Sequence, residues 1–447
     1  MVATRAIHDH DNGGRTYAFD FRVIGGAKPT SCLDAERAIQ AVLHEAGVNM
    51  MENTLSSFDT SGEPIRLGTG RGETTWTSKG QSPGAYQSTF GQLNILRHVY
   101  QSSAGGATYC PLEDLARIIE NSTPQFASLV SSKYAIMSGR ETKQDLAITL
   151  GRELTLANIQ NIATTVGDIA LAKEPYWNYE AQTPTPEVAA IAMGIDGTCT
   201  PICDEGYRQS MVGSIDLLDD EGERLETIYI ANAPEEGKTT FFQRIEREVD
   251  RLKLQYPKPR WIGLSDGAKD LQEWLAGQCG DVILDFYHAS EYVVKVAAII
   301  EPGPKSQEWL EKTLHELKHT ENSAEQLHRD LIHCHERLFP AQENQTPTGN
   351  QEGRRGTLQD EAILMSTIGY IGANLHRMNY AQMRNANLPI GSGVTEAACK
   401  RVIKARTGGS GMRWKRKTLQ SLLAARSLVK SSNRWSEFWS RISRFGY

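Results

Sequence analysis

Three acidic residues have types and surroundings that suit chemistry on phosphate. Asp196 follows an apolar run in Gly194-Ile195-Asp196-Gly197-Thr198, and Asp266 follows another in Ser265-Asp266-Gly267. Asp-Gly is also a common turn, so one such pair says little; two at the exits of apolar strands point to a site. Phosphodiester cleavage builds negative charge on phosphorus, and two divalent ions about 3.5–4 Å apart can activate the attacking oxygen and stabilise the leaving one. Magnesium or manganese takes hard oxygen ligands. Two aspartates do not easily hold two ions, so a third carboxylate is expected. Glu396 is the choice, three residues after Gly391-Ser392-Gly393 in what reads as a first helical turn; a glutamate there also simply suits a helix's positive end. Asp285 and His288, in Leu284-Asp285-Phe286-Tyr287-His288, form a second feature. His288 could bond a phosphate, orient Asp285 or donate a proton, or the pair could only fix a strand-to-helix turn.

Charge is distributed unevenly around these residues. Residues 400–447 carry 13 Lys and Arg against one acid, Glu437, while the remainder carries 35 basic and 53 acidic side chains. A basic end on an acidic body suits a phosphate backbone, or packs on the protein's own acidic surface. Lys400, Arg401, Lys404 and Arg406 lead into Gly408-Gly409-Ser410-Gly411-Met412-Arg413-Trp414-Lys415. There, glycines let backbone approach a phosphate, and Arg413 and Lys415 add charge. Trp414 either stacks on a base or fills core. Trp435, Phe438 and Trp439 look like hydrophobic anchors.

The elements that must position these groups read as follows. Residues 1–31 are polar and irregular, and Cys32 to Ala46 could be a helix ending at Gly47. Residues 60–111, rich in Gly, Ser, Thr and Tyr, read as a β-rich part of an amino-terminal module over 1–120. In 121–182, Lys143 to Leu150 and Leu156 to Asp168 make two helices about a short turn, a possible helix-turn-helix. Val188 to Ile195, Ser214 to Leu218 and Leu225 to Ile230 read as strands, Thr239 to Leu254 as an amphipathic helix, Trp261 to Leu264 and Val282 to Leu284 as two more strands. Three strands followed by alternating helix and strand imply an α/β core with a mixed sheet over 187–288, in the element order of a ribonuclease H-like core. Residues 289–385 are mostly helical, with a polar break at 342–357 and a helix from Leu358 to Tyr380. Residues 386–447 return to the core with Glu396 and the basic end.

Other classes find less support. Seven cysteines in 447 residues do not make a disulfide framework. Cys199 with Cys203, and His333-Cys334-His335, lack the paired half-sites of a structural zinc. His315 and His319 lie four apart without the glutamate of a zinc-protease helix. There is no phosphate-loop lysine motif or dinucleotide fingerprint. The start, MVATRAIHDHDNGG, has no signal-peptide core, and no run of about 18 apolar residues suggests a membrane span.

Ile195 to Pro201, Gly263 to Ala268, Leu284 to Ala289 and Gly391 to Trp414 resemble the transposases of the ISKra group of bacterial insertion sequences. So do Tyr109-Cys110-Pro111-Leu112-Glu113 and the terminal Asn433-Arg434-Trp435-Ser436-Glu437-Phe438-Trp439. The likeness spans roughly residues 60 to 440, and Gly391-Ser392-Gly393-Val394-Thr395-Glu396-Ala397-Ala398-Cys399-Lys400 is its most specific part. It implies a DDE transposase with a ribonuclease H-like core and an all-helical insertion at 289–385. Asp196, Asp266 and Glu396 would be the catalytic, metal-holding residues, with Mg²⁺ or Mn²⁺ as cofactor. Asp285 and His288 resemble the Cys/Asp-x-x-His signature of related enzymes, and Asp285 rivals Asp266 as the second ligand. The implied partners are the element's terminal inverted repeats, target DNA and at least a second copy of the chain. The implied setting is the bacterial cytoplasm and nucleoid. Open alternatives are a transposase-derived DNA-binding protein without catalysis, a nuclease of the same fold that cuts without joining, and an unrelated carboxylate enzyme such as a glycosidase using Asp196 and Glu396.

Overall fold

A computed structural model describes residues 2–9, 15–21, 31–69, 72–177, 186–340 and 357–447. The chain divides into two compact units. One comprises Met1–Trp177, Lys417–Val429 and Asn433–Tyr447; the other comprises Asn178–Arg416 and Lys430–Ser432.

The first unit opens with strands β1 (Val2–Asp9) and β2 (Arg15–Phe21), paired antiparallel. This stretch was expected to be irregular; the alternation of Tyr17, Phe19 and Phe21 is the period-two signal that marks the strand. Helix α1 (Cys32–Ser56) begins at Ser31, whose hydroxyl accepts from Asp34 N at 3.1 Å. It runs past Gly47, where it was expected to stop. A Cβ on Gly47 would lie 2.4 Å from the Phe90 ring, so this glycine makes room for an aromatic ring and does not cap the helix. Strands β3 (Ile65–Thr69), β4 (Gly72–Gln87), β5 (Gln92–Ser102) and β6 (Thr108–Tyr109) form the expected β-rich part as one antiparallel sheet in that order. Leu55 of α1 joins Tyr86, Leu93, Ile95 and Leu112 in its core. Helix α2 (Pro111–Leu115) follows, then α3 (Pro124–Ile136), α4 (Gly139–Leu150) and α5 (Leu156–Lys173). Gly151, at φ 61°, ends α4, and the Thr155 hydroxyl caps α5 through Asn158 N. The two helices about a short turn thus stand where the pattern put them.

The second unit is mixed α/β. Strands β7 (Ala190–Ile202), β8 (Gly206–Leu218) and β9 (Arg224–Asn232) are followed by α6 (Thr239–Gln255), β10 (Arg260–Ser265), α7 (Lys269–Gln278), β11 (Asp281–Leu284) and α8 (Phe286–Ile300). They build one five-stranded sheet in the order β11-β10-β7-β8-β9. β8 runs antiparallel to β7 and β9, and β10 runs parallel to β7 and β11. Alternate residues of β7 serve opposite faces. Ile191, Met193 and Ile195 pack with Phe241, Ile245 and Val249 of α6. Ala190 and Ala192 pack with Ile262, Leu264 and the Ala289, Val293 and Val296 face of α8. At the β9 edge, Ser431 Oγ accepts from Tyr229 N at 2.8 Å and Ser432 N donates to Thr227 O at 3.2 Å, covering a free strand edge.

Strand β7 was expected to end at Ile195, with Asp196 just beyond it. Instead the β7–β8 ladder continues to the Ile202–Gly206 pair, so Asp196 lies inside a strand. The extension is polar, with Ser210 Oγ donating to Thr200 Oγ1 at 2.9 Å, and it lacks the apolar run that marks a buried strand. The expected helical region consists of α9 (Lys305–His319), α10 (Ser323–Leu338), α11 (Leu358–Asn374) and α12 (Tyr380–Asn385). Most of the expected polar break lies outside the described residues, and α11 ends six residues before Tyr380.

Helix α13 (Gly393–Ala398) continues through a π-helical segment, Cys399–Lys404, into α14 (Ala405–Thr407). Helices α15 (Arg416–Lys430) and α16 (Arg434–Phe445) complete the chain. The sequence reading placed all of 386–447 with the core, whereas Lys417–Val429 and Asn433–Tyr447 group with the first unit. Within that unit α5 and α15 meet closely at Gly167. Ser421 Oγ donates to Asp168 Oδ1, and Arg426 Nη1 donates to Ala135 O. A Cβ on Gly167 would lie 2.2 Å from Ser421 O. Gly167→Ala is therefore expected to lower the unfolding free energy by about 1–3 kcal/mol through overpacking. An unchanged denaturation midpoint would show that the two helices do not pack this tightly.

Candidate active site

The register of three neighbouring parallel strands levels three carboxylates. Leu264 of β10 pairs with Gly194 of β7 on one side and Ile283 of β11 on the other. Two residues beyond that row stand Asp196, Asp266 and Asp285. Residues two apart along a strand share a face, and neighbouring strands lie about 4.8 Å apart. A further ladder bond, Asp285 N to Ser265 O at 2.7 Å, carries the pairing to the last of the three.

Their surroundings differ. Asp285 is buried, only 5% exposed. Its Oδ1 accepts from His288 N at 2.8 Å and caps α8, while Oδ2 accepts from both the backbone N and the hydroxyl of Ser392. Phe286 N donates to Ile390 O at 2.9 Å. The loop leading to Glu396 is thereby tied to the end of β11, and both oxygens of Asp285 are occupied within the protein. His288 meets Asp285 through its backbone. Its half-exposed imidazole lies 3.9 Å from Glu291 Oε2, edge-on to Tyr292 and Tyr370.

Asp266 sits in the turn after β10, half-buried. Its Oδ1 accepts from Ala268 N at 3.1 Å, and Gly267 adopts φ 108°, the conformation glycine supplies. Tyr370, stacked on Tyr292 with centroids 3.8 Å apart, donates its hydroxyl to Asp266 O at 3.4 Å. Burial pushes the Tyr370 phenol far up, and the neighbouring Tyr292, Asp266 and Asp285 add to the shift, so it stays a proton donor.

Asp196 is reached from the other side by α13 and the π segment. Thr395, buried at the start of α13, shares a 2.8 Å hydroxyl bond with Ser214 of β8. A Cβ on Gly194 would stand 2.1 Å from Thr395 Oγ1, so only glycine at 194 lets the helix settle on β7. One turn after Glu396, the Cys399 thiol donates to Asp196 Oδ2 at 3.1 Å. Burial first, then the charge and hydrogen bond of Asp196, hold this thiol well above the usual range, and the Glu396 charge adds to the effect. Asp196 and Glu396 thus both neighbour Cys399. Glu396 itself is exposed. Gly197 gives its space to Gln209, whose Nε2 would be 2.3 Å from a Cβ there.

The donor set is all hard oxygen, the kind a divalent cation of the magnesium type takes. Among the described residues, however, no group of three or more His, Cys, Asp or Glu side chains is gathered closely enough to hold one metal ion. Cys199 and Cys203, and His333-Cys334-His335, make no such group either.

Of the residues expected at nucleic acid, Lys400, Arg401, Lys404, Arg413 and Lys415 are exposed. Arg406 and Trp414 are buried, at 4% and 8% exposure, with the guanidinium 5.1 Å from the ring centroid. Trp414 Nε1 donates to Thr407 O at 3.2 Å, its backbone N donates to Pro201 O at 3.0 Å, and its O accepts from Cys203 N at 2.9 Å. Both residues belong to the packing that fastens the glycine loop to the β7–β8 hairpin, and neither presents a surface to a base or phosphate. Sequence reasoning did not single out Cys399, Ser392 or Tyr370. The spacing of Cys399, three residues after Glu396 and so on the same helix side, was the available signal; the other two act across long separations.

Neither protein-family models nor curated protein sequences match the chain.

Asp285 and Asp266 should respond differently to loss of charge. Asp285→Asn turns an amide NH₂ toward two Ser392 donors, or else loses the His288 cap. It is expected to lower the unfolding free energy by about 1–3 kcal/mol. Asp266→Asn keeps the bond from Ala268 N and should stay within about 0.5 kcal/mol of the parent. Equal denaturation midpoints for the two variants would contradict a tying role for Asp285.

Proposed function

We propose that the chain is a DDE-type transposase that cuts DNA at the ends of its own element and joins the freed 3′ hydroxyl to target DNA. Strand order supports this reading. Counted along the chain, the sheet runs 5-4-1-2-3, with strand 2 antiparallel, as in a ribonuclease H-like core. The observation that carries the proposal is the levelling of Asp196 in β7 with Asp266 just past the end of the adjacent parallel β10, with the helix of Glu396 bonded to Asp196 through Cys399.

In this reading Asp196, Asp266 and Glu396 hold the divalent ions, Mg²⁺ or Mn²⁺. The bound ions would supply Lewis-acid activation of the attacking oxygen and relief of charge on the leaving one. The chain's own residues do the rest. Gly194 and Thr395 seat the glutamate helix on the sheet, and Asp285 fixes the loop before it. Asp285 is then a positioning residue, since it is buried and its three donors tie it to α8 and to the Ser392 loop, and Asp266 keeps the ligand role. Tyr370 steadies the Asp266 turn. His288, half-exposed beside Tyr370, would bond a phosphate oxygen. Lys400, Arg401 and Lys404 follow Glu396 on one continuous helix and neutralise the strand passing over it; Arg413 and Lys415 extend that basic surface. The partners are the element's terminal repeats and target DNA. Two ends must be joined together, which calls for a second copy of the chain.

A labelled duplex spanning the ends of the encoding element, incubated with Mg²⁺, should be nicked at the element boundary and joined to a second duplex. Asp196→Asn, Asp266→Asn and Glu396→Gln should each reduce cutting by more than about 100-fold, beyond the usual loss for a mere supporting residue, and leave duplex binding in place. Cutting that persists in chelator, or in all three variants, would overturn the proposal.

A further inference from the structure

One exposed aromatic ring stands against the loop that leads to Glu396. Tyr287, in the first turn of α8, is 65% exposed, while its neighbour Phe286 fills the core at 2%. The Tyr287 ring is nonetheless held in place. A Cβ on Gly391 would stand 3.0 Å from its Cδ2 and Cε2, and 3.8 Å from Asp285 Oδ2. Phe286 meets it edge-on, with centroids 5.7 Å apart at 82°. Tyr287 thus lies beside Asp285, the last acid of the row, on the loop that Ser392 fastens to it.

Cations gather beside this ring. Lys318 of α9 sets its ammonium 4.5 Å from the Phe286 centroid and 5.8 Å from the Tyr287 centroid. Among the described residues no carboxylate pairs with Lys318. His319, next in the chain, and Arg384 of α12 are exposed. Desolvation first, then the charges of Arg384, His315 and Lys318, push the His319 imidazole below its usual range, as neighbouring like charges do. Acids on the same helices face other groups. Glu316 lies 3.8 Å from Lys312, Glu291 lies 3.9 Å from His288 Nδ1, and Glu311 accepts from Gln307 at 2.7 Å.

A fixed, open ring with unneutralised cations beside it suits a flat group that carries negative charge. A nucleotide has both parts. Aromatic side chains stack on bases of any sequence, and neighbouring cations meet the backbone. Inside a duplex the faces of a base are already covered, so the ring selects a nucleotide whose pairing has been opened. We propose that Tyr287 stacks on an unpaired base next to the scissile phosphate, and that Lys318 meets the phosphate of that nucleotide. The inference rests on the function proposed above.

The test uses end duplexes opened at the element boundary by a single-stranded overhang, so that no pairing is lost on binding. An abasic nucleotide replaces each overhang position in turn. Affinity is measured for the full chain and for Tyr287→Phe, Tyr287→Ala and Lys318→Gln. For the parent, one abasic position should weaken binding by about 5–150-fold, the range of a single base–aromatic stack. Tyr287→Phe keeps a ring and should keep that sensitivity. Tyr287→Ala should bind the intact overhang as weakly as the parent binds the abasic one, with no further loss when the base is removed. Lys318→Gln should retain the abasic effect and reduce the slope of log affinity against log salt by about one. A full additional abasic loss in Tyr287→Ala would show that the ring only supports the Gly391 loop, and would overturn the stacking. An unchanged salt slope in Lys318→Gln would overturn the phosphate contact. Binding indifferent to every abasic position, with metal-dependent cutting intact, would overturn the inference and leave the transposase reading standing. Neither binding nor cutting of DNA by the parent chain would remove both proposals.

Discussion

The candidate site depends on backbone register. In a parallel ladder, neighbouring strands advance together, so equal steps beyond one paired row end at equal heights. Gly194, Leu264 and Ile283 form that row, and Asp196, Asp266 and Asp285 stand one pleat beyond it. A slip of one residue in β10 would move Asp266 out of line with Asp196 and Asp285. The apolar alternation that holds the register, Ile191, Met193 and Ile195 on one side and Ala190 and Ala192 on the other, is therefore also what sets the acids in one row.

Acidic side chains leave water at a cost unless paired or hydrogen-bonded. Each of the three is treated differently. Asp285 is buried and receives three donors. Asp196 accepts from Gly197 N at 2.6 Å on Oδ1 and from the Cys399 thiol, a weak donor, on Oδ2. Asp266 is half-exposed and receives one backbone N–H. The gradient runs from a buried acid with three donors to a half-exposed one with a single backbone donor. The buried acid does the fastening: its bonds to Ser392 join residues separated by more than a hundred positions and set where the glutamate helix begins.

Much of this was legible in the chain. The five core strands and α6 follow from apolar runs and helical periodicity, and Gly151 with Thr155 announces the α4–α5 turn. The polar half of the β7–β8 hairpin was not legible, because Thr200 and Ser210 satisfy each other across the ladder and leave no hydrophobic signature. Gly47 and Gly167 were misleading or silent for one reason: a glycine that admits a neighbouring ring or backbone looks in sequence like one that ends a helix. Arg406 and Trp414 read as nucleic-acid residues by composition, yet they stack on each other under the hairpin. The three acidic positions were visible from Asp-Gly and Gly-Ser-Gly contexts. The difference between Asp266 and Asp285 was not, since it is decided by Ser392, a residue distant in the chain.

The most direct measurement is crystallographic: the anomalous signal of Mn²⁺ in crystals of the chain bound to an end duplex. The expected result is density for manganese contacted by Asp196, Asp266 and Glu396, with Asp285 still bonded to Ser392. Manganese bound through Asp285 with Asp266 turned away, or Glu396 remaining apart from Asp196 with DNA in place, would contradict the assignment on which the proposed chemistry rests.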